Sequence, residues 1–258
     1  MYQAMMTAAS GLRNQQQRLD TIANNVANIN STAFKSVRLD FKDALYTAGI
    51  TPGPARTPEG NQQRGHGVMI AGIAKDFRGG NLQVTNRPLD VALDGEGFFE
   101  LRDLNGNIFY TRNGSFNLSA EDDGAYLVSS GGLYVHDIAG ERIQVPAGTE
   151  MISIDSDGTI RFLVGEEEAT AVLSVYTFRN LTGLLSMGDG TYAESEASGE
   201  RLPAEGTRVE QGALEGSNVN LGEEMTRIMR TQRAFQLASR ALTTADDMEG
   251  IANNMRRG

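Results

Sequence analysis

The sequence of 258 residues contains no cysteine and no tryptophan, and it has only two histidines and six prolines. The absence of cysteine excludes disulfide frameworks, thiolate zinc sites and cysteine nucleophiles. No run of apolar residues approaches the length of about 18 that a membrane-spanning helix requires. The first residues show neither the basic segment nor the apolar core of a cleavable secretory signal. We therefore predict no membrane insertion and no cleaved signal peptide.

Basic residues are scarce in the middle of the chain, where residues 49–220 carry 12 basic and 25 acidic groups. Binding to nucleic acid needs clustered Lys and Arg to neutralise phosphates, so this composition argues against a nucleic-acid partner. Apolar residues make up 40% of the chain and charged residues 22%, which are ordinary values for a globular protein. A folded core with a solvated acidic surface is expected.

Motifs that carry chemistry are also missing. DSDGT at 155–159 resembles a calcium loop, but Ile160 stands where that loop needs glycine, so a hairpin turn is predicted. GEGFFE at 95–100 lacks the third glycine of a dinucleotide loop. His66 and His136 are far apart in sequence, and each is interpreted as a surface residue. We predict no catalytic, cofactor-binding or metal-binding residue, no cofactor and no enzymatic activity.

The start of the chain has the apolar periodicity of a long amphipathic helix. Between Gln3 and Ile29 the only charged residues are Arg13, Arg18 and Asp20, and most other polar residues are Gln, Asn, Ser or Thr. One interpretation is a surface helix rich in Gln and Asn, and the other is a helix that contacts protein on several sides within an assembly. The predicted assembly residues of this helix are Met5, Leu12, Leu19, Ile22, Val26 and Ile29.

The segment after this helix contains a break and then a second short apolar pattern. The spacing of Phe34, Val37 and Phe41 predicts a short second helix that ends at Gly49. Residues 49–67 hold three of the six prolines and almost no apolar side chains, so they are predicted to form an extended arm or linker.

The last 38 residues predict a second long helix. Glu223 and Glu224 lie in its predicted first turn, as the helix dipole favours, and Asn218 is its predicted cap. Because either terminal helix alone exposes an apolar stripe, we expect the two to pair and to bury further surface between subunits. An ordinary intramolecular pair is the alternative. The predicted assembly residues of this helix are Met225, Ile228, Phe235, Leu242 and Met248.

Residues 68–216 consist of short apolar runs separated by turn dipeptides such as Asn105-Gly106 and Asp157-Gly158, which predicts mainly antiparallel strands. The expected fold class is α+β, with long N- and C-terminal helices paired as an α-helical coiled-coil domain and a β-rich middle domain. The expected domains are a terminal helical assembly domain (1–48 and 217–258), an arm (49–67) and a β-rich outer domain (68–216).

Three segments carry a resemblance to a known family. ASGLRNQQQRLDTIANNVANINSTAFK at residues 9–35 resembles the N-terminal signature of flagellar axial proteins of the rod and hook family. PLDVALDGEGFFEL at 88–101 is similar to the core of that family, and residues 217–255 are similar to its C-terminal signature. One departure is Ala33, where the family commonly has glycine in a turn.

The resemblance implies a structural subunit of the bacterial flagellar basal body, which self-assembles into a helical tube. Such a tube transmits torque from the motor to the hook and conducts exported subunits. The implied partners are further copies of the chain, other rod proteins, hook protein, the ring proteins around the rod and the flagellar export apparatus. The implied location is the rod where it spans the periplasm, reached by type III export without a cleaved signal.

Within the family, the chain length and the segments at 45–60 and 211–220 most resemble a subunit of the distal rod. A proximal rod subunit is the alternative, and a hook-type subunit is a weaker one because hook subunits carry an additional outer domain. Outside the family, a secreted β-rich adhesin and a hydrolase with an unrecognised carboxylate site remain as other classes. Electron microscopy of the concentrated protein would separate an assembling subunit from both.

Overall fold

The computed structural model describes residues 2–44, 46–48, 63–65, 67–121, 124–165 and 167–257. The chain divides into two compact units. The terminal unit comprises Met1–Ala27, Val37–Lys75 and Asn220–Gly258, and the middle unit comprises Asn28–Ser36 and Asp76–Val219.

In its described residues, the terminal unit contains two long helices and four strands. Helix α1 spans Tyr2–Ala27 and helix α2 spans Leu221–Arg257. The strands are β1 Val37–Asp43, β2 Tyr46–Ala48, β3 Gln63–Gly65 and β4 Val68–Lys75. The helices pack against each other, and α1 also packs against β1 and β4. Strand β1 pairs with β4 and strand β2 with β3, both antiparallel.

Asparagine side chains of α1 attach this helix to the strands of the terminal unit. The Asn25 amide donates to Val37 O and its oxygen accepts from Val37 N, both at 2.9 Å. The Asn14 amide donates to Val68 O. Both asparagines are buried, so these bonds give the buried side-chain amides the partners that they need. Part of the unusual amide content of α1 therefore serves contacts within the chain.

The expected α-helical coiled-coil terminal domain is wrong, because this unit contains a β-ribbon beside its two helices. The predicted second helix is strand β1. Val37, Leu39 and Phe41 alternate with exposed Arg38 and Asp40, and this period of two places the apolar residues on one face of a strand.

Two further predictions concern the arm at residues 49–67 and the N-terminal cap of α2. Of the predicted arm, residues 49–62 and residue 66 lie outside the described residues. Asn218 is not the cap of α2. The Asn220 side chain accepts from the backbone of Gly222 at 2.9 Å and Glu223 at 3.3 Å, as an N-cap does.

The middle unit is built from short strands. The first of them are β5 Leu82–Val84, β6 Val91–Asp94, β7 Phe98–Arg102, β8 Ile108–Thr111, β9 Phe116–Glu121, β10 Gly124–Ser129, β11 Tyr134–Val135 and β12 Gln144–Val145. The rest are β13 Met151–Ile154, β14 Thr159–Val164, β15 Glu167–Val172, β16 Val175–Phe178, β17 Leu185–Gly188, β18 Thr191–Ala193, β19 Arg201–Pro203, β20 Arg208–Gln211 and β21 Ala213–Glu215. A 3₁₀ turn spans Leu181–Gly183.

The strands of the middle unit pair antiparallel throughout the described residues. Ten of them form one sheet in which β12, β10, β11, β7, β8, β18 and β17 follow one another, with β9, β16 and β19 attached to its side. Strands β13, β14 and β15 form a second sheet, and β6–β20 and β5–β21 are separate pairs. The predicted hairpin at 155–159 joins β13 to β14. The largest core cluster includes Val91, Phe99, Leu101, Phe116, Val135, Ile143, Ile160 and Phe162.

Residues 28–36 form a turn that belongs to the middle unit, and Ala33 stands at its centre. Ala33 has φ 54°, the left-handed conformation that favours glycine. Its backbone N–H donates to Glu215 O at 2.7 Å, and Asn218 N–H donates to Phe34 O at 3.3 Å. The turn therefore has the backbone conformation typical of glycine although residue 33 is alanine. Hydrogen bonds to β21 and to the residues after β21 hold the turn in this conformation.

A buried ion cluster lies beside this turn. The Glu215 carboxylate contacts Lys35 Nζ at 2.7 Å and Arg112 Nε at 2.6 Å, and all three side chains are at least 96% buried. Gly80 N–H also donates to Glu215 at 2.7 Å. Backbone carbonyls accept further hydrogen bonds from the two cations. Lys35 donates to Arg78 O, and Arg112 donates to Leu93 O, Gly95 O and Gly97 O. Every charge in the cluster is thus hydrogen-bonded, which a buried charge requires.

The pKa of Glu215 reflects its two cationic neighbours. Burial alone would raise this pKa, but Arg112 and Lys35 together hold it below its usual value. A carboxyl with a lowered pKa stabilises the folded state at pH values above its unfolded pKa, and that stabilisation is lost as the pH falls through the folded pKa. The ion cluster therefore makes the middle unit sensitive to acid.

Replacing Glu215 by glutamine should destabilise the middle unit by about 3–5 kcal/mol at neutral pH, because Lys35 and Arg112 lose their anion while buried. Urea unfolding followed by circular dichroism measures this change. The exposed Glu210 on β20 gives the control, since Glu210→Gln should change stability by less than about 0.5 kcal/mol. Equal stability of the two variants would contradict the role of the cluster.

Candidate assembly interface

The structure places the predicted assembly residues of α1 along one side of that helix. Met5, Leu12, Leu19 and Val26 are half-buried and Ile22 is fully buried. Their spacing of three, four or seven puts them on one face. Ile29 follows the helix and lies in the turn of the middle unit.

The predicted assembly residues of α2 separate into two groups. Ile228, Phe235 and Leu242 are half-buried and recur every seven residues, whereas Met225 and Met248 are exposed. Helix α1 is the principal neighbour of α2, so the half-buried group packs toward α1. The sequence pattern placed residues of different environments in one stripe.

A second apolar stripe lies on α2, which we call the outer stripe. Its members are exposed by 56–74%: Leu237, Met248, Ile251 and Met255. At about 100° per residue, they lie roughly 160° around the helix from the half-buried group, almost on its opposite side. Leu237 and Ile251 were not predicted as assembly residues. Leu237 is eleven residues and Ile251 three residues from Met248, and this helical spacing was the sequence signal that all three lie on one face of α2.

Helix α1 also has an exposed side, which we call the outer face. It is almost neutral because Arg13 and Asp20 cancel, and its other members are small, apolar or amide side chains. The exposed residues on it are Met6, Ala9, Arg13, Gln16, Gln17, Asp20, Ala23, Asn24 and Ala27. A solvated helix face usually carries more charge than this. This face suits protein contact.

The first turns of α2 carry a local charge cluster. Arg227 donates to Glu224 at 2.8 Å and lies 3.5 Å from Glu223. The Asn25 amide also approaches Glu224, at 3.4 Å. Acidic groups at a helix N-terminus are stabilised by the helix dipole. Glu224 is nevertheless 2% exposed, and its Oε2 has no hydrogen-bond partner among the described residues.

The structure describes one of the two histidines, His136. His66 lies outside the described residues. The interpretation of His136 as a surface residue is wrong, because it is 6% exposed and its Nδ1 lies 3.2 Å from Tyr134 O. Burial lowers the pKa of His136. Burial thus favours the neutral form of this histidine, which forms part of the packing of the middle unit.

The described ranges lack two kinds of group that would mark other functions. There, no cluster of three or more His, Asp or Glu side chains has the geometry to hold a metal ion. None of the described helices is both long and apolar enough to cross a membrane.

Three family models match separate parts of the chain. Residues 5–35 match "Flagella basal body rod protein", residues 92–162 match "Flagellar hook protein FlgE/F/G D1 domain", and residues 210–255 match "Flagellar basal body rod FlgEFG protein C-terminal". The first and last models cover α1 and most of α2. The matched ends therefore coincide with the helices that carry the exposed faces.

Similar proteins match over almost the whole length. The flagellar basal-body rod protein FlgG of Borreliella burgdorferi is 38% identical over 273 aligned residues, which cover 100% of both chains. FlgG of Buchnera aphidicola subsp. Acyrthosiphon pisum is 35% identical, covering 96% of this chain and 97% of that protein. FlgG of Agrobacterium fabrum is 34% identical, covering 97% of this chain and 98% of that protein.

Truncation of Phe235 and of Leu237 should have different effects on the terminal unit. Phe235→Ala should lower its stability by about 2 kcal/mol, because a half-buried aromatic ring leaves the contact with α1. Leu237→Ala should change it by less than about 0.5 kcal/mol in the monomer, because Leu237 is 67% exposed. Thermal unfolding at low protein concentration, followed by helical circular dichroism, compares the two. A larger loss for Leu237→Ala would contradict the assignment of the two faces.

Proposed function

The chain belongs to the flagellar basal-body rod protein family, and we propose that it is a structural subunit of the distal rod which assembles with further copies of itself through its terminal helices. Family membership places the protein in the rod of the flagellar basal body and gives it a role in motility. Within the rod, the subunits build a helical tube that transmits torque to the hook and conducts exported subunits.

The outer stripe of α2 is the observation that supports assembly through the helices. Four large apolar side chains there are more than half exposed, and contiguous exposed apolar surface marks interaction sites. Full burial of such a side chain contributes about 1.5–3 kcal/mol. Burial of the stripe therefore contributes favourably to a contact that repeats from subunit to subunit.

The half-buried residues of both helices have a second role in this proposal. Leu12, Leu19, Ile228 and Phe235 hold α1 against α2, and in doing so they present the outer stripe and the outer face on a fixed support. Met225 and Met248 contact neighbouring subunits directly. Some of the residues proposed for assembly thus act by packing the two helices within one chain, and the others act by contacting a neighbouring subunit.

The proposed role is structural and not enzymatic, which family membership supports. The proposed partners beyond further copies are the other rod proteins, the hook protein, the ring proteins around the rod and the export apparatus. Localisation of the protein within purified basal bodies tests the distal position. Its presence only in the proximal part of the rod would contradict that assignment.

Aspartate substitutions in the outer stripe should prevent polymerisation. Met248→Asp or Ile251→Asp places a charge in the proposed contact, and a charge buried without a partner costs several kcal/mol at every repeated site. Sedimentation and electron microscopy of concentrated protein measure assembly, and circular dichroism shows that the monomer stays folded.

Asn253→Asp is the matched control, because Asn253 is exposed and lies about 140–160° around the same helical segment from Met248 and Ile251. This variant should polymerise like the wild type. Normal assembly of Met248→Asp and Ile251→Asp would show that the outer stripe is not the contact surface.

A further inference from the structure

An open groove of about 490 Å³ lies in the terminal unit between α1, β1 and the first turns of α2. Its apolar lining is supplied by Ile22, Val37, Leu39 and Phe41. Three arginines also line it, one from each element: Arg18 from α1, Arg38 from β1 and Arg227 from α2. An apolar groove with a few polar groups is the usual form of a site that receives another molecule.

The groove carries an excess of positive charge on the side of α1. Two of its arginines are paired with carboxylates of the groove: Arg227 with Glu224 at 2.8 Å and Arg38 with Asp40 at 3.2 Å. Arg18 forms no ion pair with any described residue, and its guanidinium lies 5.8 Å from the centre of the Phe41 ring. The groove therefore favours an apolar occupant that brings a carboxylate to Arg18.

The last turns of α2 are exposed on every side, and we call residues 246–255 the end segment. Each residue of the end segment except Ala252 is exposed, whereas the half-buried side of the preceding turns continues to Ala245. A helical segment that is exposed all round gains little stability from packing within its own chain. Its surface is therefore open to a second molecule.

The end segment combines apolar and acidic side chains. Its members of the outer stripe are Met248, Ile251 and Met255. At about 100° per residue, Asp247 borders this stripe, roughly 40° from Ile251, and Asp246 lies almost on the opposite side of the helix. From residue 241 to residue 255 the chain carries three acidic residues and no basic one. The end segment therefore has the combination of groups that the groove favours.

The groove and the end segment lie at opposite ends of α2. Glu224 beside the groove and Asp247 are both part of this continuous helix, which separates them by about 35 Å along its axis. One chain therefore cannot place its end segment in its own groove. The complementary surfaces can meet only between two copies of the chain.

We infer that the end segment of one copy binds in the groove of the next copy, with Asp247 beside Arg18 and with Met248 and Ile251 against the apolar lining. This inference rests on the proposed self-assembly and names the surface that covers the end of the outer stripe. Because the groove and the end segment are different surfaces, the contact is head to tail. Such a contact leaves a free groove and a free end segment at the two ends, so it continues from copy to copy.

Exchange of the two charges tests the pairing of Asp247 with Arg18. Arg18→Glu and Asp247→Arg should each raise the critical concentration for assembly about fivefold, because each variant brings two like charges together. The double variant should assemble within about twofold of the wild type, because opposite charges face each other again. Sedimentation measures assembly, and circular dichroism compares the folding of the monomers.

Asp246→Arg is the matched control for the charge exchange, because Asp246 is an exposed aspartate on the opposite side of the same turn. It should not restore the assembly of Arg18→Glu. Failure of Asp247→Arg to restore that assembly, or equal restoration by Asp246→Arg, would overturn the pairing.

Cysteine cross-linking tests the head-to-tail geometry, because the natural chain has no cysteine. A full-length chain with both Arg18→Cys and Asp247→Cys, assembled above its critical concentration and mildly oxidised, should give a ladder of linked multimers. Each single-cysteine chain can give no product larger than a dimer. A chain with Arg18→Cys and Asp246→Cys should give a much weaker ladder, because the second cysteine faces away from the groove.

The outcomes separate this inference from the proposed function. Linked dimers without a ladder, an equally strong ladder with Asp246→Cys, or no linked product in intact assemblies would overturn the inference while self-assembly stands. If the chain with two cysteines does not assemble, the charge exchange decides. If the wild-type chain forms no assemblies, the proposed function fails and the inference fails with it.

Discussion

The buried carboxylate of Glu215 is the group on which the organisation of the middle unit depends. It joins three segments that are far apart in sequence, through Lys35, Arg112 and the Gly80 backbone. The ion cluster holds residues 28–36 beside the residues around 215, and both segments continue along the chain into α1 and α2. A hydrophobic replacement of similar volume could be as stable, but it would not hold three backbone segments by directed hydrogen bonds. The cluster thus specifies an arrangement more than it adds stability.

A similar use of polar side chains as directed connectors occurs in the terminal unit. Asn25 forms two hydrogen bonds with the backbone of Val37, and Asn14 donates to Val68 O. These contacts attach a helix to a two-stranded ribbon that is too small to be stable alone. The buried amides account for part of the polar composition of α1. The exposed Gln17 side chain takes no part in these contacts.

Sequence periodicity was sufficient to predict the two long helices and the strands between them, because apolar residues at intervals of 3.6 or 2 reflect one buried face. It failed at residues 34–45, where the spacing of Phe34, Val37 and Phe41 fits a helix although Val37, Leu39 and Phe41 also alternate. The ion cluster could not be predicted, because Lys35 and Glu215 are 180 residues apart. Within α2, periodicity gave the apolar positions but not the neighbour that covers each one, so Met248 and Phe235 were assigned to a single stripe.

The separation of two apolar faces on α2 has a consequence for folding and assembly. If a helix had only one apolar stripe, the same side chains could not pack against α1 of their own chain and also contact a neighbouring subunit. In this protein Ile228, Phe235 and Leu242 are engaged within the chain, while Leu237, Met248, Ile251 and Met255 stay exposed. The helix pair can therefore form in the monomer while the surface proposed for assembly stays exposed.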